Sequence, residues 1–155
     1  MKRRFFLFAA ASLPLVFAVP APVAARDEAA EIVGLLMQTF DRPEARLSVG
    51  PVVIEGDAAV AGWTQGETGG RAFLRRTQDG WQLLACGGDA LKTAKTLAGL
   101  GLPAQQAQAL AAAVAAGERG VEAGRRRAFA SFKGLQAMQG STSHHPQPDH
   151  EGERK

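Results

Sequence analysis

Four short runs of strand-forming residues, each closed by a tight turn, constrain this chain more than any other feature. Leu47 to Ile54 is apolar and β-branched, Glu55-Gly56-Asp57 turns it, and Ala58 to Thr64 forms a second run. Gln65 to Gly70 carries three glycines and reads as a loop before a third run, Arg71 to Thr77. Asp79-Gly80 is a hairpin signal, and Trp81 to Cys86 makes the fourth run. Strands joined by such short turns pair antiparallel, as a meander. Pro51 has no amide hydrogen to give a ladder, so the first strand belongs at a sheet edge or carries a bulge.

Helical periodicity flanks this block. Val33, Leu36, Met37 and Phe40 fall on one stripe, which predicts a helix over Asp27 to Phe40, ended by Pro43. After Gly87-Gly88, Asp89 is placed to cap a helix reaching about Ala98. Pro103 suits the first turn of another, whose apolar stripe runs to Gly117. Val121 to Leu135 predicts a last helix, weakened by Gly124. The expected class is therefore α+β: an N-terminal helix, a four-stranded antiparallel meander, then two or three C-terminal helices. From Gly140 onward Ser, Thr, Pro, Gln and charged residues dominate, the composition of a disordered tail.

The first 25 residues read as an export leader. Lys2, Arg3 and Arg4 precede an apolar run from Phe5 to Val19, and Val23-Ala24-Ala25 offers small residues for cleavage. The run is short and interrupted by Pro14 and Pro20, which argues against a spanning anchor. Arg3-Arg4-Phe5-Phe6-Leu7 also resembles a twin-arginine signal, although paired arginines are common and the general route is favoured. The whole chain has 18 basic and 15 acidic residues. Three of the basic ones leave with the leader, so the exported chain is neutral and has no electrostatic case for nucleic acid. The expected organisation is a signal peptide over 1–25, one α+β domain over 26–138 and a His-containing tail over 139–155. The expected location is a bacterial periplasm, with no stable membrane insertion once the leader is gone.

The candidate chemistry is sparse. All three histidines lie in His144-His145-Pro146-Gln147-Pro148-Asp149-His150. Imidazoles clustered near a carboxylate suit Cu(II), Zn(II) or Ni(II), and a nearby thioether, Met138, would suit Cu(I). Cys86, the single cysteine, excludes an internal disulfide. As a thiol just before a helix N-terminus it would ionise easily and bind a soft metal. As a strand residue sharing parity with Leu84, opposite Trp81 and Leu83, it would be a small buried hydrophobe. An unpaired thiol in an oxidising space is also a means of linking two chains.

Other features read structurally. Met37 belongs to the core stripe. Trp63 and Trp81 pack on the sheet, and Trp63 is the better placed to line a concave face and stack on a ligand. Gly66, Gly69, Gly70 and Arg71 match no phosphate-binding pattern and read as hairpin residues. Arg125-Arg126-Arg127 reads as a solvated helix face. No GxSxG, HExxH or histidine falls in the folded region, so no catalytic set emerges and the expectation is a protein that is not an enzyme.

Several segments resemble a family of small exported bacterial proteins described as copper-uptake-system-associated. They are Thr39-Phe40-Asp41-Arg42-Pro43-Glu44-Ala45-Arg46-Leu47, Val52-Val53-Ile54-Glu55-Gly56-Asp57, Ala59-Val60-Ala61-Gly62-Trp63, Gly70-Arg71-Ala72-Phe73-Leu74-Arg75-Arg76 and the stretch from Trp81 to Leu91. The similarity covers roughly residues 27–138. It implies a role beside periplasmic copper delivery, with copper-uptake components as partners, and carries no agreed ligand set. With it, the expected metal ligands are His144, His145 and His150, with Met138 and Cys86 as soft additions. The competing expectation is a non-catalytic ligand-binding or interaction module of a cone-shaped α+β kind, with its pocket around Trp63 and no metal role.

Overall fold

A computed structural model describes residues 23–138, with side chains described from residue 26. Helix α1 spans Val23–Phe40, and the strands that follow are β1 (Leu47–Glu55), β2 (Ala58–Gln65), β3 (Thr68–Thr77) and β4 (Gly80–Gly87). A 3-10 turn over Asp89–Lys92 leads into α2 (Ala94–Gly99), α3 (Ala104–Gly117), α4 (Ala123–Ser131) and a short β5 (Leu135–Ala137). All five strands form one antiparallel sheet in chain order. The class is α+β, as the pattern of runs and stripes predicts.

Each of the first three hairpins closes through two residues, because Glu55 pairs with Ala58, Gln65 with Thr68 and Thr77 with Gly80. Gly56 and Gly66 hold positive φ of 61° and 59°, the left-handed geometry that such turns demand. Strand β1 is an edge strand and also bulged: its register with β2 shifts between Val49 and Val52, at Gly50-Pro51. Both consequences expected of Pro51 are therefore present.

Helices cover both faces of the sheet. Alternate strand residues divide between two cores. On one face Ala59, Ala61, Ala72 and Leu74 pack with Ile32 and Leu36 of α1. On the other Ala58, Val60, Phe73 and Ala85 pack with Leu97, Ala107, Leu110 and Val114 of the helices that follow β4 and with Leu102 of the link between α2 and α3. Met37 joins the α1 core, as its stripe predicts. Alanines dominate β2 because helices approach it from both sides. Burial at roughly 25 cal/mol per Å² of apolar surface then drives both layers onto one sheet.

Three local expectations differ from the structure. Asp89 does not cap a long helix. Its carboxylate is drawn to Arg71 Nη1 at 3.2 Å, and the cap passes to Thr93, whose Oγ1 accepts from the Thr96 amide. The chain therefore makes a 3-10 turn first and α2 second. The last helix also ends early, at Ser131. Phe132 turns to extended geometry, and Gly134 takes φ +75°, which reverses the chain so that Leu135–Ala137 pairs with β4 as a fifth strand. Finally, Cys86 does not share a face with Leu84. Phe73 pairs with Ala85 while Leu74 pairs with Leu83, so Leu84 is an extra residue in β4. The bulge inverts the parity and puts Cys86 on the side of Trp81 and Leu83.

Candidate functional site

A partly enclosed cavity lies on the α1 face, at the end of the sheet where α1 stops. It has a volume of about 260 Å³ and is mostly apolar in lining. Phe40 enters from the end of α1 and Leu47 from the start of β1. Trp63 and Gln65 enter from β2, Cys86 from β4, Gln136 from β5, and Phe132 and Met138 from the segments flanking β5. Pairing of β5 with β4 sets Gln136 opposite Cys86, and the Met138 amide donates to the Leu84 carbonyl at 2.7 Å. The unexpected strand is thus what carries Met138 to the cavity wall.

Backbone and ring contacts hold the walls in place. Gln65 Nε2 donates to the carbonyls of Phe40 and Ala45, each at 2.8 Å, and ties the end of β2 to the turn after α1. Trp63 and Phe132 meet edge to face, with centroids 6.0 Å apart and planes at 82°. Gly70, opposite Trp63 in the ladder, leaves the indole its space: a Cβ there would stand 2.8 Å from Trp63 Cζ2. Trp63 is half-buried and faces the cavity, whereas Trp81 is buried in the α1 core beneath the Arg76 guanidinium.

Cys86 is buried, and burial pushes its thiol up to about 11. The short 3-10 turn that follows does not offset this desolvation. The thiol is therefore protonated at neutral pH, and a metal would have to displace its proton. Of the five expected ligands, the structure brings Cys86 and Met138 to one cavity. His144, His145 and His150 lie outside the described residues. Among the described residues no three His, Cys, Asp or Glu side chains cluster as a metal site. A thiol, a thioether and an indole in an apolar cavity form a soft donor set, suited to Cu(I) and ill suited to a hard cation.

A second polar assembly escaped sequence reasoning. Arg71 is 1% exposed, on the sheet face opposite the cavity. Its Nε and Nη2 hold the two Glu118 oxygens at 2.6 and 2.8 Å, and Nη1 reaches Asp89. The Phe129 ring covers the guanidinium at 5.4 Å. Its sequence signal is a charge inside an apolar strand, directly before Ala72-Phe73-Leu74. Arg125 is likewise no solvated residue: it donates to the carbonyls of Ser48 and Gly50 and to the hydroxyls of Ser48 and Thr64, closing the β1 bulge.

Comparison of the chain with family models, with curated proteins and with solved structures finds no match. Among the described residues no helix is long and apolar enough to cross a membrane.

Proposed function

We propose that this protein is a periplasmic accessory of bacterial copper uptake that holds copper transiently as cargo and passes it to an uptake partner. The observation that carries this reading is the convergence of Cys86 and Met138, far apart in sequence, on one apolar cavity. Soft sulfur donors shielded from water favour Cu(I) over the harder divalent ions. The chain leaves this cavity at Met138 and continues to His144, His145 and His150, whose imidazoles suit Cu(II) or a receiving position for the cargo. The role is capture and transfer, not catalysis.

A second reading rests on the lining itself. The cavity is mostly apolar and carries an indole, and so fits a small apolar ligand with no metal. One experiment separates the two. Residues 26–155 are titrated with Cu(I) under reducing conditions against a competing chelator, then with Cu(II) and Zn(II). Cys86→Ser, Met138→Leu and a chain ending at Met138 are run in parallel. Under the copper reading Cu(I) binds tightly and Cys86→Ser and Met138→Leu weaken it. Loss on truncation alone moves the site to the tail. Copper binding no better than a generic peptide's sinks the carrier reading. An apolar probe that quenches Trp63 fluorescence would then favour the second.

A further inference from the structure

On the sheet face opposite the cavity, α4 and the 3-10 turn after β4 enclose an open cleft of about 310 Å³. Ala123, Arg126, Arg127 and Ala130 line it from α4, on one stripe at helical spacing. The alanines at either end are too short to screen the two guanidiniums between them. Lys92 faces them from the 3-10 turn, and Arg71 lies buried at the base.

The charges in this cleft do not balance. Asp89 lines it and Glu118 lies behind it, both engaged by Arg71, while Glu122 at the cap of α4 feels the charges of Arg127 and Arg126 but has its oxygens taken by the Gly124 and Arg125 amides. Lys92 Nζ stands 3.9 Å from Asp89 and 3.8 Å from Glu118, near enough for attraction but too far for a hydrogen bond. Arg126 reaches only the carbonyls of Glu118 and Arg119, both at 3.4 Å. Arg127 makes no hydrogen bond or ion pair among the described residues. Four cations against three carboxylates leave a positive surplus, and among the described residues no carboxylate hydrogen-bonds Lys92, Arg126 or Arg127.

We propose that this cleft binds a phosphate group, either as the free ion or as the monoester end of a small molecule. A tetrahedral phosphate offers more acceptor oxygens than a carboxylate to the three cationic side chains Lys92, Arg126 and Arg127. It also presents oxygens in several directions, as donors arriving from two elements require. Arginine forks suit it in particular, since each guanidinium gives two parallel N–H bonds to a pair of phosphate oxygens. The fixed Arg71–Glu118 pair keeps the base rigid, so a ligand would be met by Lys92, Arg126 and Arg127 without reorganising the core. The site is separate from the cavity around Trp63 and stands whether or not that cavity takes copper.

The test uses the purified protein, with inorganic phosphate and O-phosphoserine titrated at low ionic strength and chloride as the control anion. Binding is read by calorimetry and by amide shifts over Ala123–Ala130. The expected result is saturable binding of at least one phosphate compound, weakened about tenfold or more in Arg126→Gln/Arg127→Gln. Both arginines are exposed, so the double variant should keep the native circular dichroism, and Lys92→Gln provides an independent second variant. Tighter binding of the free ion or of the monoester identifies the source. Shifts that chloride reproduces, or affinity unchanged in both variants, would overturn the proposal.

Discussion

Arg71 and Glu118 form a two-pronged ion pair, with Nε–Oε1 at 2.6 Å and Nη2–Oε2 at 2.8 Å. The side chains are 1% and 6% exposed. The pair fastens the third strand to the turn after α3, and with Phe129 above the guanidinium it also seats α4 on the sheet. Charges this deep are stable only as a pair, because the cost of desolvation is recovered through close geometry. Glu118→Gln keeps the shape and removes the countercharge. It should destabilise by about 3 kcal/mol, a fall in melting temperature of about 10 °C for a domain of this size. Arg71→Met/Glu118→Leu together should cost less than either single change, since neither charge is then stranded. Equal or additive losses in thermal melts would show that the pair acts only through packing.

Cys86 should react slowly in the folded protein. With its thiol pushed up to about 11 against an ordinary 9.0, the thiolate at pH 8 is depleted about a hundredfold from ionisation alone. Burial slows the reaction further. Labelling with Ellman's reagent should therefore be at least that much slower in buffer than in 6 M guanidinium. Rapid native labelling would show that the cavity opens and exposes the sulfur.

Gly134 sets the route of the chain into β5. At φ +75° a side chain is strained, so Gly134→Ala should cost about 1–2 kcal/mol locally. Most of that loss can be avoided by releasing β5 from β4. Amide exchange at Gln136 and Met138 should then rise while the amides of β2 and β3 stay protected. Uniform loss of protection across the sheet would mean that β5 is integral to the global fold.

Much of the fold was legible because its signals are local. Turn pairs such as Glu55-Gly56-Asp57 and Asp79-Gly80 mark the hairpins, and the stripe from Val33 to Phe40 marks α1. Three features were hidden because they depend on distant partners. Asp89 looks like a cap until Arg71 claims its carboxylate. Phe132 to Ala137 continues an apolar pattern, and nothing in it announces that the free edge of β4 is available. The parity of Cys86 fails across one bulged residue, Leu84. The site was partly legible for the same reason: Trp63, Cys86 and Met138 each stood out by type, but their convergence needed the fifth strand.

Asp57 links the first hairpin to α3. Its carboxylate accepts from Gln106 Nε2 at 2.7 Å and pairs with Arg75 Nη2 at 2.7 Å. The Gln106 hydrogen bond, followed by that from Arg75, holds its carboxyl below the ordinary 3.8. A depressed folded value contributes stability above the unfolded value and loses it as pH falls through the folded one. Its side chain is 47% exposed, so solvent screening limits the effect to under about 1 kcal/mol. Urea midpoints followed downward from pH 5 should fall less steeply in Asp57→Asn than in the parent. Identical slopes would mean that the bonds persist with the protonated acid.

If the cavity takes Cu(I) through sulfur, the raised thiol makes binding depend on pH. Below about 11 the protonated thiol dominates, and each bound metal must release one proton from Cys86. Apparent Cu(I) affinity should therefore rise about tenfold per pH unit between pH 6 and 9, after correction for the chelator's own titration. Binding through Met138 and the imidazoles alone would give a different profile, steep near the histidine range around 6.5 and flat above it. Cys86→Ser should convert the first profile into the second. A wild-type profile already flat above pH 7 would exclude Cys86 as a ligand, whatever the affinity.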